Sequence, residues 1–443
     1  MIAALVLPGL AAAADMPVKA PRAFASSADW TQFYAGFGIG FDAETGHTTV
    51  GGFGGVGTVD GFQGADLGVT ATLGFDAQVS RLFVVGGFVD YDWSRERTRL
   101  TLADPFFSET GRTPTLHDAW TVGARAGVLV RPDVLVYGLA GYTGIQLDNW
   151  SFTSSFGPIL QEPGLHTHGL TLGGGIEYRL ADNLSLRGEY RHVSLGSETN
   201  VDGVGLVWTT SMSEHIARLI ATYRLGVPGI TGATAAEPVP ARNWTGFYGG
   251  LGLGGDAITP HIDATLGVSG LGDDGLAGAD FAGTAMVGYD RQVLPRWVVG
   301  AFGLLDLGSN GNRQVSAGSG GGGTISGNIP AVERSWTVGG RAGFLVAPDT
   351  LVYALAGYTG TTFHAVTYNL IAAAGTAQSP EFHGATVGAG FEKLFTDNLS
   401  ARLEYRHTEL DTLPVVAPGF DSASASAGVH AVRLIMSYRL PSQ

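Results

Sequence analysis

The sequence predicts an all-β protein made of two tandem, antiparallel, up-and-down transmembrane β-barrels of eight strands each. Three observations predict this fold. Apolar residues alternate with small or polar ones over stretches of about 10 to 14 residues, tight turns alternate with long connections, and one long unit occurs twice. A period of two indicates strands rather than helices, and tilted strands of about ten residues can cross a bilayer.

The composition is typical of a β-rich wall and excludes several classes of function. Only 14% of the residues are charged, against about 25% in an ordinary soluble domain. Glycine occurs 69 times without a collagen repeat, which favours closely packed strands. The net charge of -14 makes nucleic acid an unsuitable partner, because phosphates require basic patches. The absence of cysteine excludes disulfides, thiolate chemistry and cysteine zinc sites.

The N-terminus resembles an export signal. An apolar run from Ile2 to Leu10 is followed by four alanines before Asp15, as in a secretory signal peptide. We therefore expect a signal peptide at 1–14, with a periplasmic linker at 15–28. The usual positive leading segment is missing, which raises the question of whether Met1 is the true start. No later window of 18 uncharged apolar residues exists, so a membrane crossing would require a closed barrel.

A whole-unit duplication organises the chain. Trp120-Thr-Val-Gly-Ala-Arg125 recurs as Trp336-Thr-Val-Gly-Gly-Arg341, and Glu189-Tyr-Arg-His192 recurs as Glu404-Tyr-Arg-His407, at an offset of 214 to 216 residues. An Ala- and Pro-rich stretch separates the units, and such composition gives an extended tether. The predicted domains are a first barrel at 29–225, a linker at 226–242 and a second barrel at 243–440.

Each unit is predicted to contain eight strands. In the first unit we place them roughly at 31–41, 66–79, 82–93, 118–130, 134–147, 166–180, 183–196 and 213–225. The connections alternate between turns of two or three residues and long Gly-rich loops at 42–65, 94–117, 148–165 and 197–212. This alternation is typical of outer-membrane barrels, whose periplasmic turns are short and whose extracellular loops are long.

Matched charges are predicted inside both barrels. The alternation points two equivalent sets inwards: Asp76, Asp92, Arg125, Glu177, Arg187, Glu189, Arg191 and Arg218 in the first unit, and Asp290, Asp306, Arg341, Glu392, Arg402, Glu404, Arg406 and Arg433 in the second. Since the interior of an eight-stranded barrel is just wide enough for side chains, these charges must pair with one another. We predict a structural network that fixes the register and blocks the lumen. The alternative is a narrow conduction path or gate.

Three histidines recur in both units, near the loop ends of the last three strands. They are His168, His192 and His215 in the first unit, and His383, His407 and His430 in the second. The alternation points them outwards, so we expect them in an interfacial belt with Trp93 and Trp120. The alternative is that they contact lipopolysaccharide phosphates or ligate haem or a metal.

Catalytic motifs are weak. Two glycine-rich runs, Gly52–Gly57 and Gly318–Gly323, match a dinucleotide fingerprint but do not lie between a strand and a helix. Ser194, His192 and Glu198 lie near one rim, and a catalytic set would need a tight mutual geometry. We therefore predict no enzyme, and no catalytic, cofactor or metal site.

Short motifs carry a family resemblance. Ala14-Asp-Met-Pro-Val-Lys-Ala-Pro21, Trp30-Thr-Gln-Phe-Tyr34 and Ala221-Thr-Tyr-Arg-Leu225 resemble the alphaproteobacterial eight-stranded outer-membrane surface barrels. That group is called "porin family" and is related to opacity and OmpA-type barrels. The resemblance implies structural, antigenic or adhesive roles, and haem binding in some members. Such proteins usually carry one barrel, and many end on an aromatic residue that the assembly machinery reads, whereas this chain ends Leu440-Pro-Ser-Gln443.

The predicted function is that of an outer-membrane surface protein with envelope-structural and surface-interaction roles. Its expected partners are outer-membrane lipid, lipopolysaccharide and the barrel-assembly machinery, with an unknown loop ligand. The loops would lie at the cell surface and the linkers in the periplasm. Two alternatives stay open: a single sixteen-stranded diffusion porin and a haem-binding surface barrel. The inward Gly, Ala and matched charges favour two small barrels.

Overall fold

A computed structural model describes the following residues: 29–52, 55–93, 99–103, 108–112, 116–147, 150–154, 157–162, 166–181, 183–201, 207–225, 242–266, 269–274, 278–309, 314–318, 324–328, 330–369 and 374–440. The predicted signal peptide, the N-terminal linker and nearly all of the linker between the units lie outside these residues. Within the described residues, no helix has the length and hydropathy needed to cross a bilayer.

The described residues form antiparallel strands. In the first unit they are β1 (Gln32–Gly52), β2 (Gly55–Gln78), β3 (Phe83–Trp93), β4 (Arg99–Ala103), β5 (Ser108–Arg112), β6 (Leu116–Arg131), β7 (Val134–Leu147), β8 (Trp150–Ser154), β9 (Gly157–Glu162), β10 (His166–Ala181), β11 (Leu184–Val201) and β12 (Val207–Leu225). In the second unit they are β13 (Gly246–Leu266), β14 (Ser269–Asp274), β15 (Gly278–Leu294), β16 (Trp297–Gly308), β17 (Gln314–Gly318), β18 (Thr324–Asn328), β19 (Val332–Ala347), β20 (Thr350–Phe363), β21 (Val366–Asn369), β22 (Ala374–Ala377), β23 (Phe382–Leu394), β24 (Leu399–Pro414) and β25 (Ser422–Arg439).

Eight long strands of each unit close into a barrel. In the first unit β1 pairs with both β2 and β12, and the ring runs β1-β12-β11-β10-β7-β6-β3-β2. In the second unit β13 pairs with both β15 and β25, which closes β15-β16-β19-β20-β23-β24-β25-β13. The predicted fold class of two eight-stranded barrels is therefore confirmed. The single sixteen-stranded barrel is wrong, because each unit pairs its own first and last strands.

The predicted loops contain more regular structure than expected. β1 and β2 continue as a paired ladder up to Gly52 and Gly55, so the predicted loop at 42–65 is almost entirely strand. The predicted loops at 94–117 and 148–165 contain the short hairpins β4–β5 and β8–β9, and β11 and β12 extend into the predicted loop at 197–212. Hairpin strands also pair between the units, β17 with β2 and β14 with β4. We call the end of each barrel that carries these elements the loop end, and the opposite end the turn end.

Side chains alternate between the lumen and the outer wall. On β3, Val84 and Phe88 are 1% and 4% exposed, whereas Phe83 and Val85 are 53% and 41% exposed. The hydrophobic cores lie inside the barrels, where Tyr34, Phe88 and Tyr137 belong to one buried cluster and their equivalents Tyr248, Phe302 and Tyr353 to another. The outer wall is apolar, as an outer-membrane barrel requires.

Glycine allows the first strand to approach its neighbour closely inside each lumen. A Cβ atom at Gly40 would overlap the carbonyl oxygen of Ala217, and one at Gly254 would overlap that of Val432. The alternating glycines of β1 thus leave space in the narrow interior for the large charged side chains of other strands.

Candidate functional site

The candidate site is the charged interior of each barrel. All sixteen charged residues predicted to face the lumen are buried, with exposed fractions of 6% or less. Several of their contacts join strands that are not neighbours in the ring, so they must cross the lumen. The Arg191 guanidinium on β11 bonds Asp90 on β3, the strand diametrically opposite.

A four-residue cluster lies near the turn end of the first lumen. Arg125 donates from Nε and Nη2 to the two carboxylate oxygens of Asp76, at 2.9 and 2.6 Å. Its Nη1 lies 2.9 Å from Oε2 of Glu177. Arg224 bridges the same two carboxylates, with Nη2 3.0 Å from Asp76 and 2.7 Å from Glu177. Two carboxylates therefore share two guanidinium groups, and the charges balance locally.

Further charges continue this network toward the loop end. Glu189 accepts a hydrogen bond of 2.7 Å from Tyr137 Oη and one of 2.5 Å from Arg191 Nε. Beyond them, Arg218 Nη1 lies 2.8 Å from Asp92 Oδ1. Arg187 donates to Thr72 Oγ1 at 3.0 Å and to Tyr34 Oη at 3.5 Å, so the hydrogen bonds of this predicted network member go to hydroxyl groups.

The second lumen repeats the arrangement. Arg341 donates to Asp290 at 3.0 and 2.5 Å and to Glu392 Oε2 at 2.8 Å. Further ion pairs of this lumen include Arg439–Asp290 at 2.7 Å, Arg402–Glu392 at 3.2 Å, Arg406–Asp306 at 2.9 Å, Arg406–Glu404 at 3.3 Å and Arg433–Asp306 at 3.2 Å. Arg406 on β24 and Asp306 on β16 again lie on opposite sides of the ring.

Aromatic rings pack against the charged clusters. The Arg125 guanidinium lies 4.8 and 4.9 Å from the ring centres of Tyr34 and Tyr137, within the range of cation–π attraction. At the turn end, Trp30 is fully buried, and its Nε1 donates to the carbonyl oxygen of Pro132 at 3.1 Å. Arg224 and Arg179 lie over its ring at 4.5 and 4.4 Å.

The turn-end tryptophan also recurs in the second unit. Trp244 is fully buried and its Nε1 donates to the carbonyl oxygen of Pro348 at 3.1 Å. The sequence places Trp30 and Trp244 only in an opening aromatic motif, and their role as plugs is not predicted. The feature of the sequence that could have indicated this role is that both tryptophans lie at equivalent positions, just before the first strand of a unit.

The two lumens differ at their loop ends. In the first barrel Asp42, Glu44 and Glu214 are buried, and Glu44 lies directly opposite Glu214 across the β1–β12 ladder. Glu44 Oε1 and Glu214 Oε2 have no hydrogen-bond partner. The equivalent residues of the second barrel are Asp256, which Arg433 Nη2 bonds at 2.6 Å, and two apolar residues, Ile258 and Val429.

Little free space is found where the second lumen holds its network. A cavity of about 20 Å³ lies among Asp256, Asp306, Arg406 and Arg433, which is room for about one water molecule. An apolar cluster containing Ile258, Phe363, Phe382 and Leu410 fills the lumen beyond it. The ion pairs can therefore hold the barrel in register, and the apolar cluster occupies the lumen beyond them.

The recurring histidines do not form one group. His192 and His215 are cross-strand partners, with ring centres 4.7 Å apart, and Tyr190 Oη lies 2.7 Å from His215 Nδ1. His168 instead lies 5.7 Å from the ring of Tyr142.

The same division holds in the second unit. His407 and His430 are cross-strand partners, with ring centres 4.5 Å apart, while His383 stacks on Tyr358 at 5.8 Å. All six alternate with lumen residues and so belong to the outer wall, where His430 is 8% exposed and the predicted belt residues Trp93 and Trp120 are 43% and 44% exposed.

The rim residues considered for catalysis lack the expected support. Nδ1 of His192 has no hydrogen-bond partner, whereas a catalytic base is usually oriented by one. Ser194 is cross-strand partner to Ser213. Among the described residues, no three His, Asp or Glu side chains converge as metal ligands would.

Comparison with known proteins identifies the family. Residues 2–213 and 226–434 each match the profile of the outer membrane protein beta-barrel domain. No similar sequence was found among curated proteins.

Similar solved structures include Ail, the attachment invasion locus protein of Yersinia pestis, in complex with the heparin analogue sucrose octasulfate. It is 16% identical, with 44% of this chain and 99% of Ail covered and a TM-score of 0.22. A Pseudomonas aeruginosa FadL homologue is 12% identical, with 92% and 90% covered and a TM-score of 0.31. The P. putida toluene transporter TodX is 10% identical, with 92% and 91% covered and a TM-score of 0.25. These similarities are too distant to indicate a function. The two profile matches span most of the sequence, and the chain therefore belongs to the outer membrane protein β-barrel domain family, with two copies of the domain.

Proposed function

We propose that this chain is a non-conducting outer-membrane surface protein, whose two closed barrels anchor loops that take part in surface interactions. The observation that carries the proposal is that charged bonds cross the full width of both lumens. Arg191 reaches Asp90 in the first barrel, and Arg406 reaches Asp306 in the second at 2.9 Å. A buried tryptophan closes each turn end. Solutes could pass through a barrel only if these bonds broke and the tryptophan at the turn end moved away.

Single-channel recording on the full chain in planar bilayers tests this closure. We expect no stable open level in concentrated KCl, while a general diffusion porin reconstituted in the same way supplies the positive control. A large, long-lived open level from each chain would refute the closed-lumen proposal and favour transport.

The resemblance to alphaproteobacterial surface barrels supports an orientation with the loop ends at the cell surface and the turns and linkers in the periplasm. The signal-like residues 1–14 would direct export. Trypsin treatment of intact cells tests the orientation. We expect cleavage after Arg99 and Arg112, which belong to the loop-end hairpin β4–β5, but none after Arg81 or Arg131 at the turn end. Cleavage at Arg131 in intact cells would contradict it.

The loop-end hairpins support an interaction role, since they offer strands that build sheets beyond the wall. β2 is extended by β17, β18, β21 and β22, and β13 is extended by β14, β4, β5, β8 and β9. The extension of β2 consists of strands of the second unit, and the extension of β13 consists of β14 followed by four strands of the first unit. Replacing the hairpins β4–β5, β8–β9, β17–β18 and β21–β22 by two-residue Asn-Gly turns should leave the barrels folded but reduce the attachment of cells to surfaces. Unchanged attachment by the shortened chain would refute the adhesive role.

A further inference from the structure

We propose that the two barrels are a matched pair, which associate through equivalent faces around a pseudo-two-fold axis parallel to the barrel axes. This inference concerns the barrel walls and goes beyond the proposed role of the loops. It starts from outward-facing side chains that are nevertheless buried. Tyr178 and Phe391 are 4% and 5% exposed and belong to one apolar cluster, whereas outward residues elsewhere, such as Leu251 and Leu253, are 72% and 74% exposed.

Equivalent residues of the two units meet across this contact. Tyr178 and Lys393 each follow a lumen glutamate of the repeat, and Lys393 Nζ lies 2.6 Å from Tyr178 Oη. Gly188 and Leu403 also occupy equivalent positions and touch each other. In an isologous interface, residues on the two-fold axis meet their own equivalents. This pattern is therefore that of a dimer interface within one chain.

The contacts extend along the barrels. Tyr178 and Lys393 lie near the turn ends, since Lys393 also reaches the turn residue Asp133. Toward the loop ends, one cluster contains the equivalent pairs Ala43 with Ala257 and Ala217 with Val432. Because the contact runs from the turn ends to the loop ends, the pseudo-two-fold axis is parallel to the barrel axes. The turns of both barrels therefore lie on the same side of the membrane.

A single buried cation joins the turn ends. Lys393 is 4% exposed, and its ammonium lies 3.1 Å from Asp133 Oδ2 of the first barrel and 2.7 Å from Asp349 Oδ2 of the second. Tyr178 Oη is its third partner, so all three donors of the ammonium are satisfied. Two first barrels paired in this way would bring together two Asp133 carboxylates without a cation, whereas two second barrels would place a second lysine where Tyr178 accepts a hydrogen bond.

A second asymmetry lies at the middle of the wall. A Cβ atom at Gly188 would overlap Leu403 Cδ2, so the leucine fits only against a glycine. A pair of first barrels would leave a gap at this position, and a pair of second barrels would clash. Both asymmetries therefore favour the mixed pair over like pairs. Close packing and satisfied polar groups are also what drives association in lipid, where apolar burial alone gives little.

Disulfide formation tests the contact directly, because the chain has no cysteine of its own. Gly188→Cys and Leu403→Cys are combined in the full chain, with a protease site inserted in the linker at 226–242. After oxidation and complete cleavage, we expect the two halves to stay joined on a non-reducing denaturing gel and to separate on reduction. Leu403→Cys with Val122→Cys, on the exposed far wall of the first barrel, leaves Gly188 in place and should give separate halves in both gels. Separate halves from the first pair would overturn the proposal.

A reciprocal exchange tests the matching. In the cleaved, folded protein in mild detergent, Gly188→Leu should raise the fraction of separated halves by about tenfold or more, because it overpacks the contact. Adding Leu403→Gly should restore association, because the pseudo-symmetry allows the leucine and the glycine that it packs against to exchange places between the two barrels. Gel mobility of each folded half shows that the barrels themselves are intact. Unchanged association in Gly188→Leu, or no rescue in the double variant, would refute the matched interface.

Discussion

Replacing Arg125 by alanine should destabilise the first barrel strongly. The side chain is almost fully buried and makes two hydrogen bonds to Asp76 and an ion pair with Glu177. Removing one partner of a buried ion pair typically costs about 3 to 5 kcal/mol, because the other charge stays buried. The loss also opens a gap between the rings of Tyr34 and Tyr137.

The remaining contacts decide where in that range the effect falls. Asp76 keeps Arg224 at 3.0 Å, and Glu177 keeps Arg224 at 2.7 Å and Ser185 Oγ at 2.5 Å. Neither carboxylate is left without a partner, so we expect the lower end, about 3 kcal/mol. A useful comparison is Arg131→Ala, because Arg131 pairs with Asp133 at 3.2 Å and its side chain is 36% exposed. A surface pair of this kind contributes about 1 kcal/mol or less.

Urea unfolding in lipid vesicles measures the difference. Folded barrels migrate faster than unfolded ones on cold gels, and cutting the linker resolves the two halves, so the free energy of unfolding is obtained for each barrel. Arg125→Ala should lower that of the first half only, and Arg341→Ala that of the second half only. The reasoning is refuted if Arg125→Ala loses no more than Arg131→Ala does.

Two further predictions concern groups outside this cluster. Substituting Glu44→Ile together with Glu214→Val, which copies Ile258 and Val429 of the second barrel, should stabilise the first barrel by about 1 to 3 kcal/mol, because it removes two opposed buried carboxylates with unpartnered oxygens. The same urea assay checks this, and a loss of stability would show that those carboxylates are satisfied in the membrane. Replacing His168, His192 and His215 by glutamine should leave zinc and haem titrations unchanged, since His168 lies with Tyr142, apart from the His192–His215 pair. Binding that is present in the parent chain and lost in the variant would contradict this and support the ligand hypothesis.

The period-two pattern predicted the closed architecture and most of the lumen chemistry. Arg125, Glu177 and Arg191 could be assigned to the interior because each alternates with residues of the outer wall along a regular strand. Pairing was also predictable, since an eight-stranded interior leaves no water to solvate separate charges. Which carboxylate meets which guanidinium depends on barrel stagger, and a sequence pattern contains no such information.

Other features were missed because local composition resembled a loop. Asp42 and Glu44 lie in a Gly- and Thr-rich segment that was predicted to leave the wall, yet β1 continues through it to Gly52. Pairing with β2 and β12 on either side supplies its backbone hydrogen bonds, and tertiary context thus overrides weak strand propensity. Tyr178 and Leu403 were unpredictable in another way, because an outward apolar residue looks the same whether it meets lipid or protein.

Duplication makes the chain its own control. Features that recur in both units, such as Arg125 and Arg341 with their carboxylates, are common to both barrels and are consistent with a role in closing each lumen. Features that differ at equivalent positions require a cause that acts on one barrel alone or on the pair. Two such pairs of equivalent residues, Tyr178 with Lys393 and Gly188 with Leu403, differ in complementary ways and touch each other. This is expected if the wall of each barrel packs against the wall of the other. Glu44 and Ile258 differ inside separate lumens, away from the contact between the two walls. The proposed pairing thus accounts for the differences at these wall positions, whereas the acidic loop end of the first lumen distinguishes that barrel alone.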